Sequence, residues 1–209
     1  MQQGSQEWLE IRCGRVTASR VRDIVATTKS GGYSAGRENY LAELVYENLT
    51  GVPNDDQYVS AAMEDGTRRE PAARFAYALA TGFEVEEVGF VIHPTIDMAG
   101  ASPDGLVGKD GLVEIKCPTR KTMLNVLLTE KIAAEYMDQM QFQMACTGRA
   151  WCDFVNHDDR LPEAMQMSIL RVMRDDKRIA KLELEVTQFL IDVDATVDLL
   201  RKRYMQEAA

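Results

Sequence analysis

Apolar positions along this chain alternate between helical stripes at three- and four-residue spacing and short β-branched runs. Trp8, Leu9 and Ile11 give residues 8–12 one apolar face, which predicts a short helical turn. Thr17 or Ser19 is placed to cap a following helix whose stripe runs through Val21, Ile24 and Val25. Residues 27–36 are polar and contain glycine, and they read as a mobile loop. A helix over about 37–49 stops at Thr50-Gly51, with Pro53 beyond it. Ser60 is placed to cap a long helix reaching about Ala80 and closed by Gly82, with Met63, Phe75, Tyr77 and Leu79 as its apolar contacts. Pro71 interrupts that helix, so a kink or restart is expected near Glu70.

Residues 83–92, with Val85, Val88, Phe90, Val91 and Ile92, predict a strand, and His93-Pro94 leads to a second at 98–101. His93 reads as a loop histidine, not a ligand. Leu106-Val107 and Leu112-Val113 flank the turn dipeptide Asp110-Gly111, a β-hairpin pattern. Beyond Pro118 a short helix is expected over 122–128 and a clearer one over 133–147, closed by Gly148. On the second, Tyr136, Gln139, Met140 and Gln143 share a face, which either packs on a sheet or faces the hairpin to hold substrate. Strands at 150–155 and 165–173 follow. From Asp175 an acidic amphipathic helix carries Ile179, Leu182, Val186, Phe189, Leu190, Val193, Val197 and Leu199-Leu200, to pack on the body or on another subunit. This order predicts an α/β fold with a mixed central sheet, one domain over 1–209 with helix 175–205 appended.

Composition narrows the reading. No run of about 18 apolar residues exists to span a membrane. The start of the chain carries no apolar signal region, so a cytoplasmic location is expected. Cys13, Cys117, Cys146 and Cys152 form no Cys-x-x-Cys pair; free thiols are expected, and the spacing argues against an iron–sulfur cluster. The formal net charge of -9 runs against binding a polyanion. Binding depends on local charge, however, and Arg12, Arg15, Arg20, Arg22, Lys29 and Arg37 cluster while acids gather in 175–209. That asymmetry permits a positive groove on a negative body.

The hairpin carries the chemistry. Glu114 and Lys116 leave one face of its second strand, while Val113, Ile115 and Cys117 point the other way, into a core. The fold-back brings Asp104 toward Glu114. One reading is an exposed sheet face with a salt-bridged Lys116. The other is a divalent cation between Asp104 and Glu114, with Lys116 beside an attacking water. Pro103-Asp104 followed by Glu114-x-Lys116 fits the nuclease signature Pro-Asp…(Asp/Glu)-x-Lys. Glu70, in the charged run Arg68-Arg69-Glu70, reads on its own as a solvated glutamate.

A broader resemblance runs through five ordered blocks. Trp8-Leu9-Glu10-Ile11-Arg12-Cys13-Gly14-Arg15-Val16-Thr17-Ala18-Ser19 resembles the Trp-x-x-x-Arg…Thr-Ala-Ser block of the phage lambda exonuclease (YqaJ-type alkaline exonuclease) family. Gly66-Thr67-Arg68-Arg69-Glu70, Ser102-Pro103-Asp104-Gly105, Glu114-Ile115-Lys116-Cys117-Pro118 and Tyr136-Met137-Asp138-Gln139-Met140-Gln141 are similar to its later blocks, in the same order. The resemblance covers about Trp8 to Val172 and leaves the last helix outside.

It implies a PD-(D/E)xK restriction-endonuclease-like core, a mixed sheet flanked by helices. It implies a 5′→3′ exonuclease on ends of double-stranded DNA, releasing mononucleotides and leaving a 3′ single strand for recombination by annealing. By the same resemblance Asp104, Glu114 and the Ile115 carbonyl bind Mg²⁺, two ions in all, with Mn²⁺ able to substitute. Glu70 then completes the metal site, against its reading as a solvated glutamate. Lys116 positions or activates water, and Gln139 lies beside the site. Arg12, Ser19 and Ser102 match the positions that hold a 5′ phosphate; Arg15 is an extra contact outside the match. The family further implies a homotrimeric ring, a phage single-strand annealing protein as partner, and a bacterial host cell. The rival expectations are a site- or structure-specific endonuclease and a non-catalytic DNA-binding assembly module.

Overall fold

The computed structural model describes residues 1–54 and 61–205. Helix α1 (Gln6–Arg12) is capped by the Ser5 hydroxyl, which accepts from Trp8 N–H. Strand β1 (Val16–Thr17) and a 3₁₀ turn (Ala18–Arg20) precede α2 (Val21–Val25). Neither Thr17 nor Ser19 caps α2 as expected: Thr17 is paired in β1, and the 3₁₀ turn leads straight into the helix. The stretch read as a loop over 27–36 is partly ordered by a bridge between Thr27 and Tyr33, and helix α3 (Ala35–Thr50) begins inside it. Gly51 ends α3 at φ 67°, a left-handed cap that suits glycine.

Helix α4 (Ala61–Thr81) runs unbroken through Pro71, against the expected restart. Pro71 lies on the exposed side, so its ring leaves undisturbed the buried stripe of Arg69, Ala73 and Tyr77. Phe75 and Leu79 are not core contacts, being 72% and 76% exposed. Ser60 and the Met63 side chain lie outside the described residues.

The single strand expected over 83–92 is two, β2 (Val85–Glu86) and β3 (Val91–Ile92), and they join different sheets. Glu87, Val88, Gly89 and Phe90 lie between them, where the chain crosses from one sheet to the other. Strand β4 (Ala99–Ala101) is central in a small sheet, parallel to β1 and antiparallel to β3. The hairpin joins β5 (Gly105–Val107) to β6 (Gly111–Lys116). Its turn is Gly108–Lys109–Asp110 instead of Asp110-Gly111; Gly108 carries the positive φ of 53°, and Gly111 already pairs with Val107. Helices α5 (Arg120–Thr129) and α6 (Ala134–Thr147) follow, then β7 (Trp151–His157), a 3₁₀ turn (Glu163–Met165), β8 (Met167–Met173) and α7 (Asp176–Tyr204).

The main sheet has the order β2-β5-β6-β7-β8, with β6 and β7 parallel and the other neighbours antiparallel. A mixed sheet flanked by helices is the fold class the pattern predicts. One sheet face buries Val107, Val113, Ile115 and Val155 against Ala73 and Tyr77 of α4. The other packs Leu112, Cys152 and Phe154 against Met140, Met144 and Ala145 of α6. A third cluster joins α2, α3, α6 and α7 beside the small sheet, with Tyr40 stacked on Phe189 at 5.5 Å. Helix α7 therefore packs on the body through Ile179, Leu182, Val186, Phe189 and Val193, while Leu199 stays exposed.

Candidate active site

The alternation of β6 splits its side chains as expected: Val113 and Ile115 enter the α4 side, and Glu114 and Lys116 emerge beneath α6. Gly105 pairs with Val113, so Asp104 stands at the position opposite Glu114. Its carboxylate Oδ2 accepts from the backbone N–H of Ile115 at 2.6 Å. Glu114 is 1% exposed, yet every donor around it is accounted for. Lys116 Nζ at 2.5 Å and Gln139 Nε2 at 2.6 Å both donate to Oε1, and Gln143 Nε2 at 2.6 Å donates to Oε2. Lys116 also lies 5.2 Å from the centre of the Tyr136 ring, which leans on Phe154.

Electrostatics bind these groups into one unit. Burial and then the Glu114 charge push the Asp104 carboxyl well above its usual range, with Lys116 opposing and Glu70 adding to the rise. Burial likewise raises Glu70, against the pull of Arg74, whose Nη2 is 2.6 Å from Glu70 Oε1. Burial works against the Lys116 ammonium, but the Glu114 and Asp104 charges outweigh it and hold its pKa above the usual lysine value. The exposed-salt-bridge reading of this face fails, because Glu114 is buried and three donors converge on it.

Among the described residues no three His, Cys, Asp or Glu side chains already converge as a metal cluster. The reason is visible: Glu70 is drawn to Arg74, and Glu114 is held by its amide and ammonium donors. Nevertheless the donor set fits a hard cation. Three carboxylates repel one another in a partly buried site, and all offer oxygen. A cavity of about 470 Å³ opens beside them, lined by Thr67, Glu70, Lys116, Thr119, Thr122 and Tyr136.

A second cavity, of about 290 Å³, lies between α1, the 3₁₀ turn and α3, and both Arg12 and Ser19 line it. The Arg12 guanidinium stacks on Trp8 with its carbon 3.6 Å from the ring centre. Its buried Nε has no hydrogen-bond partner, and burial lowers its pKa. Glu43 and Glu47, also in the wall, are held elsewhere, by Arg20 and by the Gly14 and Asn54 N–H groups. Among the described residues, then, no carboxylate is hydrogen-bonded to Arg12, although Glu43 and Glu47 act on its charge from the same wall. Ser102 does not line it but accepts from Trp8 Nε1 at 2.9 Å, which joins it to the ring under Arg12. Arg15 instead donates to the Ile11 and Asp97 carbonyls. Of the other N-terminal arginines, Arg20, Arg22 and Arg37 are held in ion pairs with Asp23, Asp138 and Asp192.

Gln143, Trp8 and Arg74 were not singled out as site residues by the sequence. Gln143 left a signal in its four-residue spacing from Gln139, and Trp8 in opening the Trp-x-x-x-Arg block; Arg74 left none. The four cysteines are free thiols. His93 is buried and bonded to Glu183, away from the site.

A mixed sheet whose hairpin gathers Asp104, Glu114 and Lys116 is the core of the PD-(D/E)xK nuclease class. Residues 7–150 match the model of the YqaJ-like viral recombinase domain, and the chain belongs to that family. It is 50% identical to an alkaline exonuclease, LHK-Exo, from Laribacter hongkongensis, with a TM-score of 0.89 over 98% of this chain and 100% of that one. The crystal structure of LHK-Exo in complex with dAMP gives 49% identity and a TM-score of 0.90, with the same coverage. A phage-related exonuclease from Haemophilus somnus 129PT shares the fold, at 15% identity and a TM-score of 0.69 over 89% of this chain and 96% of that one. No curated protein sequence is matched. Among the described residues no helix is long and apolar enough to cross a membrane.

Proposed function

We propose that this protein is a Mg²⁺-dependent 5′→3′ exonuclease that degrades one strand of linear double-stranded DNA to 5′ mononucleotides. It leaves a 3′ single strand for annealing-type recombination. The observation that carries the reading is the junction of Asp104, Glu114 and Lys116 at one hairpin, with Glu70 close enough to repel both carboxylates. Half identity to an alkaline exonuclease over nearly the whole chain supports it.

Asp104, Glu114, Glu70 and the Ile115 carbonyl would hold Mg²⁺, two ions or the equivalent Mn²⁺. Such ions polarise the scissile phosphate and make bound water more acidic. The chain supplies the rest. Lys116, held between Glu114 and the Tyr136 ring, directs its remaining N–H groups toward the water that attacks phosphorus. Gln139 keeps Glu114 Oε1 in register with Lys116. Arg12 supplies the unmet positive charge for a terminal 5′ phosphate, with Ser19 in the same cavity and Ser102 joined through Trp8. Gripping the terminal phosphate in one cavity while another cleaves sets the step at the strand end.

The partners follow from the same family: a homotrimer around the duplex and a phage single-strand annealing protein, in the cytoplasm of a bacterial host. The test is digestion of linear duplex with and without a 5′ phosphate, alongside a covalently closed circle. The expected result is Mg²⁺-dependent loss of the 5′-phosphorylated strand, with the circle intact. Cutting of the circle would favour a site- or structure-specific endonuclease. No cleavage with retained binding would favour a non-catalytic assembly module.

A further inference from the structure

Gln143 is fully buried, at 0% exposure, one helical turn beyond Gln139 on α6. Its Nε2 is 2.6 Å from Glu114 Oε2, and among the described residues no other side chain donates to that oxygen. Oε1, by contrast, takes two donors, Lys116 and Gln139. The opposite face of the Gln143 amide tells the same story: its Oε1 is buried with no donor among the described residues. A buried carbonyl oxygen without a donor is destabilising, because it has given up its hydrogen bonds to water and gained none in return. Methionine here would join Met140 and Met144 in the surrounding core with no such penalty. Turning the amide over would set its oxygen against the carboxylate, so the N–H donation fixes its orientation.

From this geometry we infer that Gln143 is a positioning residue for Glu114. Held at both oxygens from two successive turns of one helix, the carboxylate cannot rotate about its terminal torsion. It presents the remaining lone pair of Oε2 in one direction. The inference rests on the divalent-cation reading proposed above and deepens it: Gln143 sets the affinity of the site for the cation, not for DNA. Such outer partners of a carboxylate ligand change metal affinity about 10- to 100-fold when removed.

The experiment titrates Mn²⁺ into the DNA-free full-length protein by calorimetry, comparing wild type with Gln143→Met and Gln143→Asn. The asparagine keeps an amide but is one methylene short. Expected is Mn²⁺ binding weakened about 10- to 100-fold in both variants, with the metal-free methionine variant still unfolding cooperatively though at a lower midpoint, because Glu114 Oε2 loses its donor. In saturating Ca²⁺, which fills the site in every variant, the duplex-end affinity should stay within about twofold. Mn²⁺ affinity within twofold of wild type in a folded variant overturns the inference, as does failure of both variants to fold, which would make Gln143 a core residue. If wild type itself binds no Mn²⁺, the metal-dependent function fails first, and the two failures are thereby told apart.

Discussion

The backbone N–H of Ile115 donates to the Asp104 carboxylate at 2.6 Å, tying the start of β5 to the end of β6. The bond holds Asp104 beside Glu114 although each carboxylate raises the cost of charging the other. Burial and the Glu114 charge together disfavour the charged form of Asp104, a cost that the proposed cation would offset.

Asp104→Asn removes that repulsion while its side-chain oxygen still accepts from Ile115. The metal-free variant should unfold at the same temperature as wild type or above it. Saturating Mg²⁺ should raise the wild-type midpoint and leave the variant unmoved, while strand digestion falls at least about 100-fold. Differential scanning fluorimetry with and without Mg²⁺ reads the first two outcomes. A lower metal-free midpoint for the variant would show that the carboxylate contributes to folding instead.

Arg12 is half-buried and stacked on Trp8, and its buried Nε has no hydrogen-bond partner among the described residues. A charge-assisted hydrogen bond is worth about 1.5–3 kcal/mol, so Arg12→Ala should lose roughly 10- to 100-fold in rate on a 5′-phosphorylated end. The rate on a 5′-hydroxyl end should hardly change. Comparing the two substrates in each protein isolates the cavity from the catalytic hairpin. Equal losses on both ends would place Arg12 outside phosphate recognition.

The hairpin and the long helices were legible because their signals are local: alternation, stripe spacing and terminal glycines such as Gly51, Gly82 and Gly148. What was not legible depends on distant partners. Val16–Thr17 is too short to signal a strand and exists because β4 pairs with it. Phe83–Ile92 looks continuous in sequence, yet β2 follows β5 and β3 follows β4. Pro71 predicts a break, but the Arg69, Ala73 and Tyr77 stripe on one side of it packs regardless. At the site, Asp104, Glu114 and Lys116 were readable from spacing across one turn. Gln143 was visible only as a member of a stripe, since its role is set by where β6 passes under α6. Nor does the sequence show which N-terminal arginines are paired, because the ion pairs of Arg22 with Asp138 and Arg37 with Asp192 join residues more than a hundred positions apart.

Gly111 begins β6 under the indole of Trp151, and a Cβ there would stand 2.2 Å from the ring. Trp151 is itself stacked by Arg171 at 3.7 Å, so the ring has little room to retreat. Gly111→Ala should therefore destabilise the fold by about 1–3 kcal/mol, the usual cost of overpacking. Urea unfolding followed by tryptophan fluorescence measures it directly. Gly108, with open space at its Cβ but φ of 53°, gives the contrasting case: Gly108→Asn should cost less than about 1 kcal/mol, because asparagine tolerates that conformation. A variant at Gly111 as stable as wild type would mean the indole moves freely.

Asp158, 1% exposed, accepts from Arg160 through both oxygens, at 2.7 and 2.8 Å, and from the buried Arg69 at 3.1 Å. The Arg160 hydrogen bonds, opposed by burial, hold its pKa at about 2 against 3.8 for the free side chain. With the folded value depressed, the unfolded chain binds more protons between those two values, so stability rises with pH there. The contribution is fully present above about pH 4 and is lost as pH falls through 2. Because Arg160 is 42% exposed and screened, the loss should be about 1–2 kcal/mol instead of the full shift. Asp158→Asn should flatten the pH dependence in that window while lowering stability at pH 7, since Arg69 then keeps, among the described residues, Asp65 and Asp159 as charged partners. Equilibrium unfolding of both proteins at pH 2.5 and pH 5 measures the difference; parallel curves would exclude Asp158 as the titrating group.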